Sequence, residues 1–206
     1  MTDRERSQLI FLTGFSYSGK TVVGKKMASY LFWDFVDTDD EIARIAGKSI
    51  PRIFSENGEP HFRYLEYQVL QNLCHKRNMV ISTGGGIVVA ERNRSLILGN
   101  GVVICLEAKP EAIYRRLVQQ SKIDPGTERP LLSTDDPLNK ITTLKSSRQQ
   151  YYAIADWTVH TDEMTETEAC REALRGYRYV SQKITTPDLK GASCIVETSS
   201  RRYPVF

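Results

Sequence analysis

Gly14-Phe15-Ser16-Tyr17-Ser18-Gly19-Lys20-Thr21 is the stretch that decides the fold of this chain of 206 residues. Its spacing is that of a phosphate-binding loop, in which glycines let backbone N–H groups wrap around a polyphosphate. Lys20 would reach the outer phosphates, and the Thr21 hydroxyl is suited to hold Mg²⁺. The loop lies between the apolar run Leu9–Leu12 and a helical pattern that begins at Lys20, as this mechanism requires. A plain glycine-rich turn between strand and helix is the alternative.

The composition argues against several classes of protein. A hydrophobic content of 40% predicts one sizeable core, and so one α/β domain with an appendage rather than two full domains. The formal net charge of +3 comes without a basic stripe, which argues against binding to nucleic acid. No apolar run reaches the roughly eighteen residues that would span a bilayer, so we expect no membrane partner. Residues 1–7 are charged and contain no apolar targeting region, which favours the cytoplasm.

The cysteines do not indicate a metal site or a disulfide framework. Cys74, Cys105, Cys170 and Cys194 lack the spacing of metal ligands. Scattered single thiols of this kind are typical of reduced core or surface residues.

Short apolar runs alternate with helical patterns along the chain, which is typical of a parallel sheet covered by crossover helices. The predicted strands are Leu9–Leu12, Trp33–Val36, Met79–Ser82, Val102–Leu106 and Trp157–Val159. The predicted helices are Lys20–Leu31, Asp39–Ala46, Ile50–Glu56, Glu59–Lys76, Ala90–Leu98, Lys109–Gln119, Pro137–Ala155 and Thr165–Tyr177. This order predicts an α/β fold with one five-stranded parallel sheet. Ligands of such sheets bind at the carboxyl ends of the strands, so the residues after each strand are the candidates for chemistry.

Two aspartates follow the second predicted strand. Asp37 and Asp39 are separated by Thr38, so both can face the same cleft while the chain turns into a helix. One carboxylate would hold a hydrated metal ion, and the other would accept a proton from a substrate hydroxyl. The alternative is that Asp39 or Asp40 caps the helix, which is common for aspartate at a helix start.

Three consecutive glycines, Gly84–Gly86, follow the third predicted strand. Glycine permits close approach to the backbone and leaves N–H donors open, so a small anionic or polyhydroxylated substrate would fit here. A tight turn is the alternative explanation.

Arg63 and Arg129 lie where an anionic ligand would need them. Arg63 lies three residues before Glu66 in a helical segment, so Glu66 can orient it to grip a carboxylate. An ordinary surface ion pair is the alternative. Arg129 belongs to the polar stretch Ser121–Asp136, which predicts a lid that closes over a transferred group. Arg148 follows in the next helix and by itself would pass as a solvated residue.

Together these motifs resemble the shikimate kinase family, small members of the nucleoside monophosphate kinase-like P-loop group. The resemblance extends from about Leu9 to Tyr177. Beyond the phosphate loop it rests on Asp37–Asp39, Gly58–Glu66, Gly84–Gly86, the Arg-Pro-Leu-Leu sequence at Arg129, and Arg148 with Tyr152. It implies a P-loop kinase fold of three layers, α/β/α, with a lid, and MgATP-dependent phosphorylation of the 3-hydroxyl of shikimate.

The resemblance also implies roles for individual residues. The catalytic residues would be Lys20, Asp39 and Arg129, with Asp39 as the base for the reacting hydroxyl. The shikimate-binding residues would be Asp39, Arg63, Gly84, Gly85, Gly86 and Arg148, with Glu66 orienting Arg63. The ATP-binding residues would be Gly14, Ser16, Tyr17, Ser18, Gly19, Lys20, Thr21, Val22, Arg116 and Arg129, with Arg116 against the adenine. Thr21 would hold Mg²⁺ directly, and Asp37 would hold it through water.

Three features depart from the family pattern. Tyr17 stands inside the loop where the family usually has another glycine, and Thr21-Val22 replace Ser-Thr after the lysine. The predicted lid is also somewhat long. Tyr17 would narrow or reshape the mouth of the nucleotide site, whereas threonine can replace serine as a magnesium ligand.

The resemblance divides the chain into a shikimate kinase-like domain at 1–178 and a remainder at 179–206. Ser181–Ala192 has the composition of a linker, and Ile195–Val205 is similar to the opening strand of 3-dehydroquinate synthase. One hypothesis is a covalent fusion to that enzyme in a longer protein, and the alternative is a simple C-terminal extension.

Two other functions stay open at this point. A gluconate-type or nucleotide kinase would keep the loop and the lid but lack the combination of Arg63, Gly84–Gly86 and Arg148. A module that binds ATP without catalysis would keep Lys20 and tolerate the loss of Asp39 and Arg129, yet both are present.

Overall fold

The computed structural model describes residues 8–123 and 135–185. Five strands lie in this part of the chain: β1 (Leu9–Thr13), β2 (Asp34–Asp37), β3 (Met79–Ser82), β4 (Val102–Glu107) and β5 (Trp157–His160). Seven α-helices accompany them: α1 (Lys20–Leu31), α2 (Thr38–Ala46), α3 (Ile50–Leu73), α4 (Glu91–Asn100), α5 (Pro110–Ile123), α6 (Pro137–Tyr152) and α7 (Glu166–Thr185). A single 3₁₀ turn, Ile87–Val89, precedes α4.

All the described strands form one parallel sheet in the order β2-β3-β1-β4-β5. The central strand β1 is buried along its whole length, as a strand covered on both faces must be. The chain moves to one side of β1 to make β2 and β3, and to the other side to make β4 and β5. A crevice therefore opens at the carboxyl end of β1, where such sheets bind their ligands.

The sheet separates two hydrophobic cores. Because side chains alternate along a strand, Leu9 and Phe11 of β1 enter one core while Ile10 and Leu12 enter the other. The first core is completed mainly by α3, α4 and α6, and the second by α1 and α7. The predicted three-layer α/β/α fold is thus confirmed.

Several element boundaries differ from those predicted. The break predicted between Ile50–Glu56 and Glu59–Lys76 is present within α3 at Gly58, whose φ of 78° and ψ of 169° are not helical, but the span ends at Leu73 and not at Lys76. Helix α7 continues to Thr185, so Ser181 and the residues directly after it are helical and not linker. The predicted domain boundary at 178 and 179 falls inside this helix.

Some predictions fall on residues that the structure does not describe. They include most of the lid with Arg129, Cys194 and the segment Ile195–Val205. The other cysteines, Cys74, Cys105 and Cys170, are free thiols and buried. Within 8–123 and 135–185, every helix is too short or too polar to cross a membrane.

Candidate active site

The phosphate loop connects β1 to α1 and folds back on itself. Gly14 and Gly19 adopt positive φ angles of 129° and 100°, which are open to glycine but strained for other residues. Gly19 is the N-cap of α1, so the first N–H groups of this helix point into the loop. Lys20 is 7% exposed, and its Nζ donates to the carbonyl of Phe15 at 2.7 Å. The ammonium therefore spans the loop, where outer phosphates would bind.

Tyr17 has a backbone conformation that normally requires glycine. Its φ is 63°, and its ring packs against the first core. Its carbonyl accepts a hydrogen bond from Arg116 Nη1 at 3.1 Å, and the same nitrogen donates to Thr161 Oγ1 at 3.1 Å. Burial lowers the pKa of Arg116. Arg116 thus ties the phosphate loop to the end of β5, in addition to lining the cleft.

Asp37 joins three elements at the end of β2. Its Oδ2 accepts from Thr21 Oγ1 at 2.8 Å and from Ser82 Oγ at 2.9 Å. Its Oδ1 accepts from the Asp39 N–H at 3.0 Å and caps α2. The capping role that the sequence left open for Asp39 or Asp40 is therefore filled by Asp37, and Asp39 stands in the first turn of α2.

Hydroxyl and carboxylate oxygens of Thr21 and Asp37 are the hard donors that Mg²⁺ prefers. Over the described ranges, no three His, Cys, Asp or Glu side chains gather in a way that could hold a metal ion. A magnesium ion here would need phosphate and water oxygens to complete its shell, which is its usual habit in nucleotide sites.

The glycine triplet after β3 makes room for three different parts of the site. A Cβ on Gly84 would lie 2.6 Å from Asp39 Oδ1, one on Gly85 would lie 3.0 Å from the Ser16 nitrogen, and one on Gly86 would lie 2.8 Å from Arg63 Nη1. None of these three glycines has a positive φ angle. Gly85 and Gly86 do lie in a turn, which the Ile87 N–H closes by donating to the Gly84 carbonyl at 3.1 Å. Close approach accounts for glycine at all three positions, because none of them needs a positive φ.

One donor of the triplet is already used by the protein. The Gly84 N–H donates to Thr38 Oγ1 at 2.9 Å, so it is not open to a ligand as expected. The Gly85 carbonyl accepts from Tyr152 Oη at 2.6 Å and from Arg148 Nη1 at 3.3 Å. Burial raises the pKa of the Tyr152 hydroxyl, which keeps this donor protonated.

Glu66 is buried and Arg63 largely so, which rules out an ordinary surface ion pair between them. Glu66 is 1% exposed, and both its oxygens accept from Arg63 Nη1 at 2.9 Å. Burial raises the pKa of Glu66 to about 7, although Arg63 acts in the opposite direction. Arg63 also contacts Glu59, through Nη2 at 2.7 Å and Nε at 3.1 Å.

Two lobes make up the cleft. The phosphate-loop lobe is lined by the loop from Ser16 to Val22 together with Asp37, Ser82, Arg116 and Thr161. The arginine lobe is lined by Phe15, Ile50, Phe54, Phe62, Arg63, Glu66, Gly84, Gly86, Leu144 and Arg148. Ser16, Asp39 and Gly85 line both lobes. The predicted ATP residue Gly14 lines neither lobe and packs against the backbone of Leu106 instead.

Sequence reasoning missed part of each lobe. Ser82 and Thr161 end or follow strands β3 and β5, so the rule that ligands collect at carboxyl ends would have found them. The apolar wall of the arginine lobe, including the ring pair Phe54 and Phe62 with centroids 4.8 Å apart, carries no sequence signal that separates it from core. Phe15 lies under Arg148, whose guanidinium carbon is 5.7 Å from the ring centroid.

The parallel sheet, the phosphate loop at the start of α1 and the two-lobed cleft define a P-loop kinase. A family model described as shikimate kinase matches residues 17–178. The chain belongs to the shikimate kinase family, whose members use ATP. The match ends at residue 178, so the predicted fusion to 3-dehydroquinate synthase gains no support from it.

Individual relatives agree with this assignment. A shikimate kinase from Caldanaerobacter subterraneus subsp. tengcongensis is 39% identical over 168 residues, 82% of this chain and 95% of that protein. One from Synechococcus sp. is 44% identical over 154 residues, 75% of this chain and 78% of that protein. The solved structure of shikimate kinase from Acinetobacter baumannii in complex with shikimate has a TM-score of 0.78 at 32% identity and covers 87% of this chain and 96% of that one.

A gluconokinase from Sinorhizobium meliloti has a TM-score of 0.57 at 15% identity, covering 88% of this chain and 97% of that one. At this identity the likeness shows the fold alone.

Proposed function

We propose that this protein transfers the γ-phosphate of MgATP to the 3-hydroxyl of shikimate. The observation that carries the proposal is the junction of the two lobes. Asp39 lies there, between a loop suited to a polyphosphate and a lobe that holds Arg63 and Arg148. Phosphoryl transfer requires this arrangement, because most of its catalysis comes from aligning the two reactants and neutralising charge.

The phosphate-loop lobe would bind ATP. The loop from Ser16 to Val22 and Lys20 line the same space, and the Lys20 ammonium donates to the Phe15 carbonyl of the loop. Thr21 and Asp37 would hold Mg²⁺, which neutralises charge on the β- and γ-phosphates when bound. Arg116 would border the adenine, and its bonds to Tyr17 and Thr161 fix its position. Arg129, outside the described residues, would close over the phosphates.

The arginine lobe would bind the acceptor. Arg63 and Arg148 supply two guanidinium groups for a carboxylate, and buried Glu66 holds Arg63 in place. The N–H groups of Gly85 and Gly86 stay candidates for the ring hydroxyls, whereas that of Gly84 is engaged by Thr38. The apolar wall with Phe54 and Phe62 would pack on the carbon face of the ring and exclude water.

Asp39 would orient the acceptor hydroxyl and receive its proton. We expect Asp39→Asn to lower kcat by about a hundredfold or more, which is the usual range for loss of a general base. Shikimate binding by isothermal titration should persist in this variant, and circular dichroism should report an intact fold. If the variant unfolds, Asp39 has a structural role instead.

A coupled ADP-release assay tests the proposal. MgATP would be supplied with shikimate, quinate, gluconate or nucleoside monophosphates in turn. Turnover with shikimate alone supports the proposal. Turnover with gluconate or a nucleotide instead assigns the arginine lobe to another acceptor, and ATP binding without turnover supports a binding module.

Location and domain organisation stay predictions. We propose a cytoplasmic protein whose kinase domain, predicted at 1–178, also includes the rest of α7 up to Thr185. Fusion of the remaining part of 179–206 to a further enzyme would be tested by sequencing the full gene.

A further inference from the structure

The hydroxyl of Tyr152 holds the peptide between Gly85 and Gly86 from below the arginine lobe. Tyr152 is the last residue of α6 and is 2% exposed in the first core. Its Oη donates to the Gly85 carbonyl at 2.6 Å, whereas Arg148 Nη1 donates to the same oxygen at the longer distance of 3.3 Å. Tyr152 therefore supplies the stronger of these two bonds. It lines neither lobe, so it can act on a ligand only through the residues that it contacts.

Gly84–Ile87 form a type I turn. The Ile87 N–H closes it on the Gly84 carbonyl, and Gly86, the third residue of the turn, has a φ of −106° and a ψ of −4°. A type II turn closes with the same hydrogen bond but has its central peptide turned over and a positive φ at the third residue. Glycine adopts either sign of φ, so Gly86 itself does not choose between the two turns. The choice therefore depends on what the central peptide contacts.

The orientation of this central peptide decides which group it presents on its other side. Every described peptide bond is trans, so the Gly86 N–H points opposite to the Gly85 carbonyl and away from Tyr152. This N–H has no acceptor in the part of the chain that the structure describes. The Arg63 guanidinium lies beside Gly86, since it occupies the space next to the position of a Cβ. The peptide thus lies between Arg63 and Arg148.

A carboxylate that is held by both guanidinium groups would lie against this peptide. In the observed orientation the carboxylate would meet an N–H, which donates to it. In the turned-over orientation it would meet a carbonyl oxygen, whose partial negative charge repels it. A hydroxyl group would meet no such penalty, because it both donates and accepts. The orientation of the peptide therefore matters most for an anionic group.

We propose that Tyr152 is a positioning residue, whose hydroxyl keeps the Gly86 N–H directed at the carboxylate of the acceptor. Arg148 can give up its long bond to Gly85 and turn to the carboxylate, while Tyr152 retains the carbonyl. The Gly86 N–H is thereby assigned to the carboxylate, which leaves the Gly85 N–H for a ring hydroxyl. The inference rests on the proposed function, because it concerns the same acceptor site.

Tyr152→Phe tests the inference, because it removes the hydroxyl and keeps the ring in the core. We expect the KM for shikimate to rise about tenfold, as for the loss of one hydrogen bond to a charged group, while kcat and the KM for ATP change less than twofold. Tyr151→Phe is the matched control and should leave all three constants unchanged. Tyr151 precedes Tyr152 in α6, stacks on Arg94 at 4.7 Å and lines neither lobe. An unchanged KM for shikimate in Tyr152→Phe overturns the inference.

A neutral ligand separates peptide orientation from a general loosening of the site. The analogue of shikimate in which CH₂OH replaces the carboxylate can donate as well as accept, so it tolerates either orientation of the peptide. Its inhibition constant should differ less than twofold between the wild-type protein and Tyr152→Phe. An equal loss of affinity for shikimate and for this alcohol would mean that the hydroxyl only supports the shape of the site, and would overturn the inference.

The two levels fail in different ways. If the wild-type protein turns over shikimate while Tyr152→Phe has an unchanged KM, only the role of Tyr152 is lost. If the wild-type protein does not turn over shikimate, the proposed function is lost and the inference with it.

Discussion

The two lobes of the cleft are built in opposite ways. The phosphate-loop lobe is built around one contiguous stretch, Ser16 to Val23 with the buried Lys20, and is completed by residues at the ends of β2, β3 and β5 and on α5. The arginine lobe takes its charged groups from α3 and α6 and its space from the glycines after β3. Backbone geometry tolerates changes of side chain, whereas a lobe of paired side chains depends on every partner. The phosphate loop of the first lobe is thus specified locally, whereas the second lobe depends on packing between distant segments.

Removal of the Lys20 ammonium should affect one lobe only. We expect Lys20→Met to lower kcat by about a thousandfold, because the charge that faces the transferred phosphate is lost. Shikimate binding, measured by isothermal titration, should be retained. Lys26→Met, which removes an exposed lysine of the same helix, is the control and should retain activity. Loss of shikimate binding in Lys20→Met would show that the lobes are not independent.

Glu66 gives the arginine lobe a pH dependence of stability. Its pKa is raised by burial from an ordinary value of 4.5 to about 7, so the folded chain binds more protons than the unfolded chain between these values. Its contribution to stability is therefore full below about pH 4.5 and is lost as pH rises through about 7. The free energy of unfolding of wild type relative to Glu66→Gln should fall by on the order of 3 kcal/mol across this window.

Urea unfolding at several pH values measures this difference. Glu56→Gln serves as the control, because hydrogen bonds from Lys48 and Arg52 hold the pKa of Glu56 at about 2. Wild type relative to Glu56→Gln should show no fall over the same window. A flat difference for Glu66→Gln would mean that Glu66 is fully ionised in the folded chain.

Gly86→Ala tests whether the arginine lobe needs the space that glycine leaves beside the Arg63 guanidinium. The added Cβ would lie 2.8 Å from Arg63 Nη1 and must displace the guanidinium. We expect the KM for shikimate to rise about tenfold while the KM for ATP changes little, since a small misplacement weakens a bidentate grip. At Gly99 in α4 an added Cβ meets nothing within 4 Å. Gly99→Ala should stabilise the protein by about 0.5–1 kcal/mol and leave both KM values unchanged.

The smallest expected effect concerns the backbone of Tyr17 in the phosphate-loop lobe. With φ at 63°, alanine at this position keeps the strain that glycine relieves. Thermal unfolding should therefore show Tyr17→Gly to be more stable than Tyr17→Ala by about 1 kcal/mol. Tyr30, in the right-handed helix α1, provides the control. There Tyr30→Ala should be more stable than Tyr30→Gly by about 0.5–1 kcal/mol. Equal stability of the two Tyr17 variants would mean that the loop relaxes without cost.

Much of the fold followed from local pattern. All five predicted strands are present, and the predicted break between two helices is present at Gly58, where glycine and the nearby Pro60 interrupt the helical sequence. The predicted end of α7 at Tyr177 was wrong, because the helix continues to Thr185. The residues from Ser181 to Thr185 were assigned to a linker by their composition, although they can continue a helix. Local propensity does not decide such a boundary; packing of α7 on the second core does.

The site residues that could be predicted are those that belong to recognisable sequence motifs. Arg63 contacts Glu66 as expected, and Thr21 and Asp37, both assigned to Mg²⁺, are joined by a hydrogen bond. The contact of Glu59 with Arg63 and the engagement of the Gly84 N–H by Thr38 were not predicted. A spacing of four residues indicates only that two side chains lie on the same face of a helix. It does not indicate which group from another part of the fold contacts them.

The sequence by itself determined the phosphate loop, the order of strands and helices, and the supply of acidic and basic residues at strand ends, because these follow from neighbours along the chain. Only the tertiary structure decided that Glu66 is buried against Arg63, that three glycines make room for Asp39, Ser16 and Arg63, and that the two lobes meet at Asp39. The physical reason is that burial and electrostatic interaction depend on distance in space, and residues far apart in sequence set that distance.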